Sequence, residues 1–153
     1  MDELRDLYQE VIFDHNRTPR NFHKLPGANR QAQGFNPLCG DQLSVYLKIS
    51  DQDTIEDVSF EGRGCAISTA SASIMTETLK GKTVQQAGAL FENFHRLVTG
   101  QDVDTAAPAA DLGKLHVLTG VRDYPVRVKC ATLAWHTLQA ALRNAAAPPV
   151  STE

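Results

Sequence analysis

The side chains in this sequence best equipped for chemistry are its three cysteines, and each stands at a junction between irregular and regular chain. Cys39 lies in Pro37-Leu38-Cys39-Gly40-Asp41, just before the first clear strand pattern. Cys65 follows Gly62-Arg63-Gly64 and opens a helical pattern, and Cys130 opens the last one. Three such junctions can converge. Three thiolates and the Asp41 carboxylate would fill a tetrahedral zinc shell, with Zn–S near ~2.3 Å and Zn–O near ~2.0–2.2 Å. The spacing lacks the compact C-x2-C of a zinc ribbon, so alone it points to metal only weakly. The alternative is three core residues, since a free Cys packs as a small hydrophobe.

Cys65 has the strongest individual case. A thiol at a helix N-terminus meets the positive end of the macrodipole and unpaired backbone N–H groups, which lowers its pKa. Gly62 and Gly64 let the backbone before it approach closely or take positive φ. A helix start that happens to use Cys is the alternative. Cys39 and Asp41 flank the flexible Gly40 and can turn toward one centre, although Asp41 also suits an ordinary turn. His15, His23, His95, His116 and His136 have no partner at metal-ligand spacing and read as surface or packing residues.

The elements that must position these residues follow from periodicity. Asp2 to Asn16 places Leu4, Leu7, Tyr8, Val11 and Ile12 at helical spacing, with Asp2 available as N-cap. Asn16 to Asn36 reads as irregular chain with a short edge strand near Arg30 to Phe35. Leu43 to Ile49 alternates apolar and polar residues, and Ile55 to Glu61 repeats the pattern after a polar turn, predicting an antiparallel hairpin.

Helices follow. Ala66 to Lys80 ends at Gly81, and Thr83 with Gln86 has capping-box spacing for a helix running to Gly100. Gln101 to Asp111 reads as a loop, Leu112 to Leu118 as a short helix ending before Gly120, and Pro125 as a break. A last helix begins near Lys129 and carries a buried stripe of Leu133, Ala134, Thr137, Leu138, Ala141 and Leu142. Strands first and helices after predict an α+β fold, a small antiparallel sheet of about three strands packed against several helices. Residues 1–147 form one domain in this reading, and 148–153 a flexible tail.

A chain of 153 residues is long enough for a core without disulfides, and three cysteines cannot all pair within it. No N-terminal stretch has the layout of a secretory signal, so a reducing cytoplasm is the expected compartment. No apolar run approaches the ~20 residues of a membrane span. The net charge of -3, with basic residues scattered among acidic ones, gives no footprint for nucleic acid.

Leu38-Cys39-Gly40-Asp41, Gly62-Arg63-Gly64-Cys65-Ala66-Ile67-Ser68 and Lys129-Cys130-Ala131-Thr132-Leu133-Ala134-Trp135 resemble, in order, the three cysteine motifs of U-type iron-sulfur cluster assembly proteins. Tyr8 to His15 with Pro19-Arg20-Asn21 resembles the N-terminus of that family. Lys129 stands where the scaffold branch represented by IscU carries His, and the segment between Cys65 and Cys130 is longer than in that branch; both features resemble the SufU branch.

The resemblance implies a SufE/NifU-like (IscU-like) fold and a zinc ion held by Cys39, Asp41, Cys65 and Cys130. It implies a persulfide acceptor that activates a SufS-type cysteine desulfurase, with Cys39 taking the sulfur. The desulfurase would carry pyridoxal phosphate, and one of its histidines would displace Cys39 from zinc. A downstream iron-sulfur scaffold would receive the sulfur. Arg127, three residues before Cys130, would hold the site or pair with Asp41, a guanidinium being suited to a carboxylate; a solvated Arg at a helix start is the alternative. Two other functions stay open: a scaffold carrying an iron-sulfur cluster on the same residues, and an interaction module with purely structural zinc.

Overall fold

The computed structural model describes residues 2–37, 39–101, 112–143 and 150–151. The order is α1 (Asp2–Arg17), β1 (Arg30–Asn36), β2 (Asp41–Ile49), β3 (Ile55–Arg63), α2 (Ala66–Leu79) and α3 (Val84–Thr99). A 3-10 helix (Gly113–Asp123), α4 (Pro125–Arg143) and β4 (Val150–Ser151) complete it. The expected loop, beyond Gln101, and most of the tail lie outside the described residues.

Three antiparallel strands and the two-residue β4, parallel to β1, form one sheet in the order β3-β2-β1-β4. The alternation read from Leu43 to Ile49 decides its orientation: Leu43, Val45 and Leu47 are buried, as are Val58 and Phe60 on β3. The fold is thus α+β, with helices over one face of a small, mainly antiparallel sheet. β1 is a seven-residue strand between β2 and β4, not a short edge strand. Its inward residues are Ala32, Gly34 and Asn36, too weakly apolar to announce a strand. Gly34 is required there, because a Cβ would overlap Thr137 Oγ1 on α4.

α2 is the hub of the helical layer. Ser68, Ala70 to Thr76 and Leu79 are all buried, so the helix is enclosed on nearly every side. Small Ala, Ser and Thr side chains permit this close packing and find partners locally, as Ser71 does in donating to Ala131 O of α4 at 2.6 Å. α3 begins with the expected capping box of Thr83 and Gln86 and ends at Gly100 in the left-handed conformation. Trp135 of α4 stacks on Phe94, ring centroids 4.9 Å apart.

Two boundaries depart from the sequence reading. The 3-10 helix runs through Gly120 to Asp123, and α4 begins at Pro125 instead of Lys129. Proline lacks an N–H that the first helical turn does not use, and its fixed φ suits a helix start. Pro125 therefore opens the helix it was expected to break.

His15 locks α1 to α2 and makes stability depend on pH. It is wholly buried, its Nδ1 lies 2.6 Å from Ser73 Oγ, and its Nε2 lies 3.5 Å from Glu77. Ser73 Oγ also accepts the Arg20 N–H at 2.9 Å, so the assignment that suits both contacts has the hydroxyl donating to Nδ1. Burial above all, then Arg20 and Lys114, pull the His15 pKa below its ordinary value, against the opposing charges of Glu77 and Asp14. Between that depressed value and the unfolded ~6.5 the unfolded chain binds more protons, so stability falls as pH drops through this window. His15→Gln is expected to lower the thermal midpoint at about pH 7.5 but to lose less on acidification to about pH 5.5 than the unmodified chain. At ~2–4 °C per kcal/mol the difference is readable by calorimetry. An equal loss in both would remove His15 as the cause; His136, lowered by burial and by His95, shifts in both proteins alike.

Candidate metal centre

The hairpin between β1 and β2 places the first two donors. Asn36 and Asp41 face each other across its end, and the Cys39 and Gly40 N–H groups both donate to Asn36 O, at 3.3 and 2.8 Å. Gly40 sits at φ 74°, a left-handed conformation that costs other residues about 1–2 kcal/mol. This turn holds Cys39 at the exposed rim, while Asp41, already in the strand, is fully buried.

The end of β3 brings Cys65 to the same place. Gly62 has φ 137°, and a Cβ on it would overlap Gln42 O of the neighbouring strand. A Cβ on Gly64 would lie 3.0 Å from Asp41 Oδ1. Both glycines thus serve close approach, as the sequence suggested. The Cys65 N–H donates to Asp41 Oδ1 at 2.8 Å, and its Sγ lies 3.8 Å from Asp41 Oδ2. Cys65 is also the N-cap of α2, its sulfur accepting the Ser68 N–H at 3.4 Å.

Because α4 starts at Pro125, Cys130 lies inside its second turn and not at its opening, and it is fully buried. Its Sγ is 3.3 Å from Cys39 Sγ and accepts the Asn36 side-chain N–H at 3.6 Å. Burial pushes the Cys130 thiol well above the ordinary range, and the hydrogen bond to Cys39 and the charges of Cys65 and Asp41 push the same way. Such a crowd of acidic donors is a costly arrangement without a cation.

The donor atoms of Cys39, Asp41 and Cys130 all lie within 4.8 Å of one another. A tetrahedral zinc site needs S···S and S···O edges of ~3.6–3.8 Å, derived from the usual bond lengths. The 3.8 Å between Cys65 Sγ and Asp41 Oδ2 already matches such an edge, although Cys65 stands outside the three-membered cluster. The residues therefore fit a soft cation on three donors, with Cys65 beside Asp41 as the fourth candidate. Ser68 Oγ, buried and without a hydrogen-bond partner, lies beside this group and marks unmet polar demand there.

Arg127 is not brought onto Asp41. It is exposed in the first turn of α4, where it lines a groove of about 600 Å³ with Tyr8, Ile67, Val121 and Tyr124. Among the described residues no histidine joins the cluster; His95 and His136 instead pack edge-on against Phe91. Sequence reasoning passed over Asn36 and Ser68. An Asn directly before the turn proline Pro37 was the one available signal for the first, and nothing local marked the second.

The sequence profile of the family described as "NifU-like N terminal domain" matches residues 7–131. The chain belongs to this NifU-like family. A Streptococcus pyogenes member named "Iron-sulfur cluster assembly scaffold protein IscU" is 42% identical over 147 residues, covering 95% of this chain and 89% of the relative. A Bacillus subtilis member named "Zinc-dependent sulfurtransferase SufU" is 41% identical over 136 residues, covering 89% of each. A crystal structure titled as a putative scaffold protein for the SUF system from Fervidobacterium islandicum superposes with TM-score 0.79 at 38% identity, covering 87% of this chain and 94% of that one. The NifU-like fold expected from the cysteine motifs is therefore the fold observed. Among the described residues no helix is long and apolar enough to cross a membrane.

Proposed function

We propose that this chain is a zinc-dependent sulfur acceptor in cytoplasmic iron-sulfur cluster assembly, taking persulfide sulfur from a SufS-type cysteine desulfurase and handing it to a downstream scaffold. One observation carries this reading: Cys39, Asp41 and Cys130 present their donor atoms to one point, Cys65 lies against Asp41, and only Cys39 is exposed. Cys39, Asp41, Cys65 and Cys130 would hold the zinc, which when bound keeps its thiol ligands deprotonated at neutral pH and adds no redox chemistry.

The chain's own residues set up the transfer. Cys39, at the tip of an exposed turn, is the thiolate that can reach a partner's active site. It attacks the outer, sulfane sulfur of the desulfurase persulfide. The sulfur–sulfur bond in the donor breaks, a new one forms on Cys39, and the donor cysteine leaves as a thiolate, so no external oxidant or reductant is needed. Asp41 and Cys130 are buried and stay behind. Arg127, exposed and lining the groove beside Ala66 and Ile67, would be the supporting residue that meets the partner.

The Streptococcus pyogenes relative, named as an iron-sulfur cluster assembly scaffold protein, favours a second reading, in which this chain is a scaffold on which a cluster is built. Lys129 stands against it, because an ammonium group has no lone pair to offer a metal, and the family resemblance sets it where the scaffold branch typically has His. Metal analysis separates the two. Protein purified without air is expected to be colourless with about one zinc per chain; a brown protein with iron and sulfide would establish the scaffold. Incubation with a SufS-type desulfurase and free cysteine is then expected to add sulfur mass to Cys39 and to raise desulfurase turnover. Zinc without either effect would leave a structural-zinc interaction module.

A further inference from the structure

The hydrogen bonds around the four donors are unequal. Asp41 Oδ1 accepts the Cys65 N–H, Cys65 Sγ accepts the Ser68 N–H, and Cys130 Sγ accepts the Asn36 side-chain N–H. Among the described residues, no N–H reaches Cys39 Sγ, which lies 3.3 Å from the Cys130 thiol. The Asn36 side-chain nitrogen can only donate, so toward it the Cys130 sulfur is the acceptor.

Asn36 touches both ends of this inequality. It is fully buried, it is paired in register with Asp41, and its side chain meets Cys130. Its carbonyl accepts the N–H groups of Cys39 and Gly40, so the turn bearing Cys39 hangs from it. A donor that bonds a ligand from outside the coordination shell fixes its direction and tunes its hold on the metal.

We propose that Asn36 is a positioning residue that ranks the thiols for release: its side-chain amide fixes Cys130 as the retained ligand, while the turn hung from its carbonyl leaves Cys39 as the one that departs. This rests on the metal reading given above. The ranking gives a single exchangeable arm without needing a difference in the thiols themselves.

Three measurements on the full chain test this. In protein loaded with cadmium-113, the Asn36 side-chain N–H is expected to show scalar coupling to the metal through the hydrogen-bonded sulfur, which needs no variant at all. In cobalt-loaded protein, Asn36→Ser and Asn36→Ala are expected to move the thiolate-to-cobalt charge-transfer band to lower energy and to weaken zinc retention against a chelator about 10–100-fold. In metal-free protein, iodoacetamide is expected to modify Cys39 well before Cys130, a lead that the variants shorten. A cobalt band present but unmoved by either substitution, with no cadmium coupling to Asn36, overturns the role of Asn36 alone. Absence of any thiolate-to-cobalt band in the unmodified chain overturns the metal reading and this inference together.

Discussion

Cys39→Ala is expected to abolish sulfur acceptance, lowering desulfurase stimulation by at least ~10³-fold, as removal of a nucleophile that acts within one catalytic unit does. The fold should survive, because Cys39 is exposed on a turn whose hydrogen bonds are made by backbone N–H groups. Zinc should also remain, held by Cys65, Cys130 and Asp41 with water in the fourth position, the arrangement of zinc sites with three protein ligands. The measurement is desulfurase turnover alongside metal content and circular dichroism. A variant that keeps its zinc and still accepts sulfur would require another cysteine as acceptor, and the assignment of Cys39 would fall.

Cys130→Ala is expected to do the opposite, removing the metal first. Four-ligand structural zinc is worth roughly 10–16 kcal/mol, so losing one thiolate removes about 3 kcal/mol or more, a ~100-fold or greater loss of affinity, and the buried place of Cys130, unlike the exposed place of Cys39, does not open to a water that could stand in for it. The Asn36 side chain loses its bond to the Cys130 sulfur as well. Two consequences can be measured together: zinc lost to a moderate chelator that the unmodified chain withstands, and a thermal midpoint that no longer rises with added zinc, since a ligand stabilises only the state that binds it. Sulfur acceptance would fail too, for want of a retained site. If Cys130→Ala keeps zinc as tightly as Cys39→Ala does, the two thiols are equivalent and the division between retained and departing ligand is wrong.

The two variants separate what one would confound. Both remove a thiol from the same cluster, yet Cys130 is buried and Cys39 exposed, which under the proposed function makes the first an anchor and the second the reacting group. Chemical identity is the same in each case; position in the fold assigns the role.

Much of the scaffold was legible in local pattern. The alternation of Leu43, Val45, Leu47 and Ile49 and the capping box at Thr83 and Gln86 are each dictated by interactions a few residues apart, and they stand where read. Gly62 and Gly64 announced close approach because only glycine tolerates it. β1 was half-hidden, since Ala32, Gly34 and Asn36 face inward without forming an apolar stripe; its place is decided by β2 and by α4 pressing on Gly34. The start of α4 was misplaced because proline ends helices from within and opens them from the first turn, and sequence alone did not say which.

By itself, then, the sequence marked the candidate residues for metal or sulfur and which local elements would carry them, because motif chemistry and periodicity act over short distances. The tertiary structure alone decided that Cys130, 91 residues from Cys39, meets it at 3.3 Å, that Asp41 is buried against the Cys65 N–H, and that Asn36 joins the two halves of the site. These are contacts between a hairpin turn, a strand end and a helix interior. Burial and direction at such a meeting come from how the elements pack, which no stretch of chain encodes locally.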